Sequence, residues 1–108
     1  MYKYFRAHEI RGLKPKLVDM LDVARELAGI PFVITSGKRS YKENKEVGGV
    51  EESSHLTGEA VDIRARNNEE HFVITQGLMM AGFTRISRSY PKHVHVDVDI
   101  DKPQPCLF

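Results

Sequence analysis

The chain has 108 residues, room for one modest hydrophobic core and not two. Its 41% hydrophobic and 29% charged residues exclude a mainly disordered protein, and a formal charge of +1 excludes general attraction to nucleic acid or an anionic membrane, so any partner must be recognised through a site. No apolar run approaches the roughly 18 residues of a membrane span, Met1-Tyr2-Lys3-Tyr4-Phe5-Arg6 lacks the apolar stretch of an export signal, and the single Cys106 has no intrachain partner.

In chain order, Leu17, Met20, Leu21, Ala24 and Leu27 recur at helical spacing between Leu13 and Gly29, with Lys16, Asp19, Asp22 and Arg25 between them. Pro15 suits the first turn of that helix and Gly29 the left-handed position past its end. Pro31-Phe32-Val33-Ile34-Thr35 reads as a buried strand closed by Ser36-Gly37. Residues 37–54 lack periodicity and carry Gly48-Gly49, which predicts a long ordered surface loop. Glu59-Ala60-Val61-Asp62-Ile63 reads as a strand, and Asn67 or Asn68 ahead of Glu69 and Glu70 opens a second helix reaching about Ala81, with Gly82 as its stop. Gly77 inside that helix costs about 1 kcal/mol relative to alanine. Strands over 83–88 and 93–100 follow, separated by Ser89-Tyr90-Pro91-Lys92, and Pro103 and Pro105 predict an irregular tail over about 101–108. The order implies a single α+β domain spanning 1–108, with a central, largely antiparallel sheet flanked by two main helices.

The last strand alternates strictly, so His93, His95, Asp97 and Asp99 share one face while Val94, Val96 and Val98 share the other, the core face. Such an ionisable face is a solvated exterior in many proteins, yet two histidines one residue apart suit convergence on a metal. Upstream, His55 and Asp62 add an imidazole and a carboxylate, with Gly58 allowing a tight turn between them. His8, His71 and the methionines give no comparable pattern.

Ser53-Ser54-His55-Leu56-Thr57-Gly58-Glu59-Ala60-Val61-Asp62 resembles the Ser-x-His-x-x-Gly-x-Ala-x-Asp motif of the zinc D-Ala-D-Ala carboxypeptidases and L-Ala-D-Glu endopeptidases, whose fold is shared with the hedgehog signalling domain. His95-Val96-Asp97 resembles that family's later His-Val-Asp segment. Ser36-Gly37-Lys38-Arg39-Ser40 is similar to its Ser-Gly-Tyr-Arg motif with Lys38 in place of tyrosine, and Asn44 and Gly48-Gly49-Val50 look like the pattern that follows. The similarity runs from about Phe5 to about Ile100.

The resemblance implies one zinc ion per chain on His55, Asp62 and His95, a set that would also tolerate manganese or cobalt, with the fourth position open for water. It implies Arg39 as the substrate-binding arginine, with Ser36 and Tyr90 lining the cleft. Where many members place a Glu or Asp three residues before the last zinc histidine, this chain has Lys92. His93, similar to the first histidine of a His-x-His arrangement, is the expected base. Asp97 is the alternative, as a base or as the acceptor that fixes a ligand tautomer. The expected activity is hydrolysis of a peptide bond in bacterial peptidoglycan stems, as a D,D-carboxypeptidase or an endopeptidase. The expected protein is a monomer made in the cytoplasm without a signal peptide, reaching the wall when released or virion-associated, as a phage-type lysin does. The competing expectation is a catalytically inactive, zinc-stabilised cell-wall-binding or virion structural module.

Overall fold

In the computed structural model, which describes residues 2–108, helix α1 spans Pro15–Ala28. Pro15 starts it where a missing N–H is harmless, and Gly29, at φ 73°, ends it by donating its N–H to Arg25 O. The buried stripe is Leu17, Val18, Leu21 and Ala24, rotated from the one expected: Val18 is inside and Leu27 is exposed. The cause is the close approach of helix α3, Asn68–Met80, whose Gly77 lies so near Ala24 O and Ala28 Cβ that a Cβ at residue 77 would stand 2.8 Å from each. The glycine that weakens α3 locally thus permits the helix pair. Asn67 caps α3, its side chain accepting from Glu70 N at 2.9 Å.

Strands β1 (Ile34–Ser36), β2 (Ala60–Arg64), β3 (Arg85–Ser87), β4 (His93–Asp97) and β5 (Cys106–Leu107) form one sheet in the order β1-β2-β4-β3-β5, antiparallel except where β5 runs parallel to β3. Val61 stands opposite Val96 and Ile63 opposite Val94, and these residues join Ile86 and the buried stripes of α1 and α3 in one core. The other face follows from the same alternation. Ser36, Asp62, His95 and Ser87 are successive partners across β1, β2, β4 and β3, a polar row crossing the sheet.

Three further expectations change. Residues 37–54 are not all loop: helix α2, Tyr41–Glu46, forms there because Ser40 accepts from Glu43 N while the Glu43 side chain accepts from Ser40 N, a capping box. The last long strand ends at Asp97, where the chain turns and leaves Ile100 exposed. The tail around Cys106 is not irregular, because Cys106 N donates to Thr84 O and Phe108 N to Ile86 O, laying β5 along β3.

Candidate metal centre

The polar row places Asp62 directly opposite His95 on neighbouring strands. His55 comes from outside the sheet, on a 3-10 turn over Ser54–Thr57 that Ser53 starts by accepting from His55 N at 3.2 Å and Gly58 ends at φ 76°. No side chain fits at Gly58, since its missing Cβ would collide with Gly12 O. Arg39 N donates to His55 O at 2.9 Å, which fastens the turn to the chain leaving β1.

Hydrogen bonding determines where the protons sit. His55 Nδ1 lies 2.8 Å from Gly37 O, a carbonyl that can only accept, so Nδ1 carries the hydrogen and Nε2 presents a lone pair. His95 Nε2 lies 2.8 Å from Asp97 Oδ2, which also accepts from Arg85 Nε at 3.1 Å, so the hydrogen is on Nε2 and the lone pair on Nδ1. Both lone pairs face Asp62 Oδ1, from 3.2 Å and 3.1 Å. Three electron-pair donors therefore converge with no hydrogen between them, an arrangement that repels itself unless a cation sits among them.

The donor chemistry fits zinc. Bonds of about 2.0–2.2 Å at a tetrahedral angle separate ligand atoms by about 3.3–3.6 Å, a little more than the two spacings here, and one atom from each of His55, Asp62 and His95 can be chosen so that all lie within 4.8 Å. Two imidazoles and one carboxylate leave a fourth position open, the pattern of a catalytic rather than a structural site. Burial opposes ionisation of Asp62, but the close approach of His55 and His95 and the positive potential of the histidines when protonated hold its carboxyl well below the usual range. Burial likewise lowers the pKa of His95, and the carboxylates of Asp62 and Asp97, which would both accept from the doubly protonated ring, more than offset this, raising it.

The other expected residues occupy distinct places. Arg39 is clamped: Nη2 donates to Asp62 Oδ2 at 3.3 Å, Nε to Ser36 Oγ at 2.9 Å and Nη1 to Asn44 Oδ1 at 3.2 Å. Ser36 thus holds Arg39 and is not itself on the cleft wall. His93 is partly exposed, its Nε2 3.7 Å from Asp62 Oδ2 and its ring stacked on Tyr90 at 4.4 Å between centroids. Burial lowers its pKa, with Asp62 opposing and the neighbouring cations assisting. Asp97 is buried with both oxygens engaged, Oδ1 accepting from Asp99 N at 3.2 Å. Lys92 is exposed in the turn before β4, and His71 lies apart, within 3.1 Å of Pro91 O.

His55, Asp62, His93, His95, Arg39 and Tyr90 share a cleft of about 830 Å³. Its wall also holds Arg85, Lys102 and Phe108, which the sequence reading missed. Arg85 had one faint signal, its place two residues before Ser87 on a strand with one buried face. For Lys102 and Phe108 there was none, because the fold of the tail brings them there.

The family described as peptidase M15 matches residues 3–97. Among solved structures, that of the Serratia marcescens L-Ala D-Glu endopeptidase ChiX superposes with a TM-score of 0.70 at 21% identity, covering 94% of this chain and 92% of that one. No curated protein sequence matches.

Proposed function

The chain belongs to the peptidase M15 family, and from that membership we propose that it is a zinc-dependent peptidase hydrolysing a peptide bond in the stems of bacterial peptidoglycan. The observation that carries this reading is the convergence of His55 Nε2, Asp62 Oδ1 and His95 Nδ1 as three lone pairs at the floor of an open cleft. Zinc held by these residues supplies Lewis-acid polarisation of the scissile carbonyl and acidifies the attacking water.

His93 takes the proton from that water and delivers it to the leaving nitrogen. Its support is its position on the cleft, with a ring stacked on Tyr90 and a pKa that burial lowers, which favours the neutral, proton-accepting form. Arg39 has five N–H donors and spends three on Ser36, Asn44 and Asp62, so two remain for a substrate carboxylate or the developing oxyanion. Asp97 fixes the His95 ring rather than acting as a base, since its oxygens already accept from His95, Arg85 and Asp99. Tyr90 forms part of the binding wall, and Ser36 orients Arg39.

The L-Ala-D-Glu bond is the first to test, being the one named for the Serratia protein, and D-Ala-D-Ala the second. The experiment is digestion of purified muropeptides by zinc-replete protein, read by mass spectrometry, with His95→Ala as control and bound zinc quantified in both. Cleavage by the wild type and loss of both zinc and cleavage in the variant are expected. Wild-type protein that holds zinc and cuts nothing would replace this reading with a zinc-stabilised wall-binding module.

A further inference from the structure

The sequence alternation of His93, His95 and Asp97 continues to Asp99 although β4 ends at Asp97, and the proposed chemistry gives Asp99 no task. Asp99 is nevertheless buried, beyond the end of β4 and beyond the residues that the family pattern matches. Its Oδ2 accepts from Ser54 Oγ at 2.8 Å, and Ser54, itself buried, immediately precedes His55 in the 3-10 turn. Its backbone N–H donates to Asp97 Oδ1 at 3.2 Å, and the other oxygen of Asp97 accepts from His95 Nε2. Lys102 closes the group: its Nζ donates to Ser54 Oγ at 2.8 Å and Glu52 O at 2.9 Å, and stands 3.7 Å from Asp99 Oδ2. The Ser54 hydroxyl donates its one hydrogen to Asp99 while accepting from Lys102.

We propose that Asp99 is a positioning residue that ties together the two histidine arms of the metal centre, its carboxylate holding the His55 turn through Ser54 and its backbone holding the Asp97 carboxylate behind His95. This rests on the reading of His55, Asp62 and His95 as metal ligands.

The tie is needed because the two arms are built differently. Strand register places His95 against Asp62, whereas His55 stands on a turn that no strand pairing locates. On one side the turn is fastened by Arg39 N and Gly37 O. On the other, its side-chain fastening is Ser54 to Asp99, reinforced by Lys102. Metal–ligand bonds tolerate only about 0.2 Å of displacement, so a turn free to shift on one side loses affinity. Substituting residues that orient metal ligands typically costs about 10–100-fold in metal affinity.

The test measures zinc affinity of the full chain by competition with a chromophoric chelator, in wild type, Asp99→Ala, Ser54→Ala, the double variant and Asp99→Asn. Ile74→Val, a core change remote from the cleft, serves as a stability control. Asp99→Ala and Ser54→Ala are each expected to weaken zinc binding about 10-fold or more. The double variant is expected to be no weaker than the poorer single, since both singles break the same Ser54–Asp99 bond, and Asp99→Asn, whose amide oxygen still accepts from Ser54, to recover much of the loss. Ile74→Val should lower Tm and keep wild-type affinity. Wild-type affinity in both alanine variants overturns the proposal, as does an equal loss in Ile74→Val, and if Asp99→Ala fails to fold, Ser54→Ala carries the test alone. A wild type that does not bind zinc overturns the metal reading instead.

Discussion

The two faces of β4 differ in what holds them. Val94 and Val96 are buried against helices, by contacts that any apolar side chain of similar volume would nearly satisfy. On the opposite face His95 and Asp97 are held by directional bonds to Asp62, Arg85 and Asp99, each requiring one atom at one place. The valine face therefore contributes stability and the histidine face geometry. Substitutions should separate the two: changes on the polar face alter chemistry with little effect on the metal-free fold, and changes in the core do the reverse.

The largest expected effect is on the polar face. His93→Ala should lower kcat about 10²–10⁴-fold, the usual contribution of a general acid–base group, while zinc content stays near one per chain and the metal-free Tm changes little. An unaltered kcat would remove His93 from the chemistry, and zinc lost together with activity would make it a ligand rather than a base.

Next comes a change on the apolar side. Leu78 is fully buried in α3, and Leu78→Ala should cost about 2–5 kcal/mol of stability through lost burial and the cavity left behind. Below its melting temperature the folded fraction should bind zinc as the wild type does, measured by chelator competition beside a denaturant titration. A parallel fall in zinc affinity would show that the core face transmits to the site, and the separation would fail.

Gly58 belongs to both regions, since it ends the His55 turn and packs on Gly12 O. Gly58→Ala should cost about 1–2 kcal/mol for the left-handed backbone alone, and more because the chain must move away from Gly12 O. That movement carries His55 with it, so both Tm and zinc affinity should fall. A variant that loses stability and keeps full affinity would mean that the Asp99 and Arg39 fastenings hold the turn without Gly58.

How much of this could be read in advance follows the same division. Period-two alternation gave the faces of β4, and Pro15 and Gly29 gave the bounds of α1, because these signals are local. The stripe of α1 was misjudged at Val18 and Leu27, since only the partner helix crossing at Gly77 decides which flank is covered. Helix α2 was missed although Ser40 and Glu43 spell a capping box, because six residues are too few to show a helical period. The ligand set came through resemblance, but no local rule brings Lys102 and Phe108 to the cleft wall, because β5 must first pair with β3.

The smallest effect concerns pH, and there the two states of the site should move in opposite directions. In the metal-free protein, Asp62 has a depressed pKa, so its contribution to stability is present above the unfolded carboxylate value of about 3.9 and fades as pH falls through the folded one. His95 has a raised pKa, so its contribution is full below the unfolded histidine value of about 6.5 and is lost as pH rises through the folded one. Metal-free protein should therefore be most stable between about pH 4 and 6.5, when a proton takes the place of the cation between His95 and Asp62. Zinc must displace that proton, so the stabilisation it confers should grow as pH rises through the same region. Thermal melts from pH 4 to 8, with and without saturating zinc, should show the difference in Tm opening toward alkaline pH. Curves that stay parallel would mean that no proton and metal compete for His95, and that the lone-pair convergence at Asp62 has been misread.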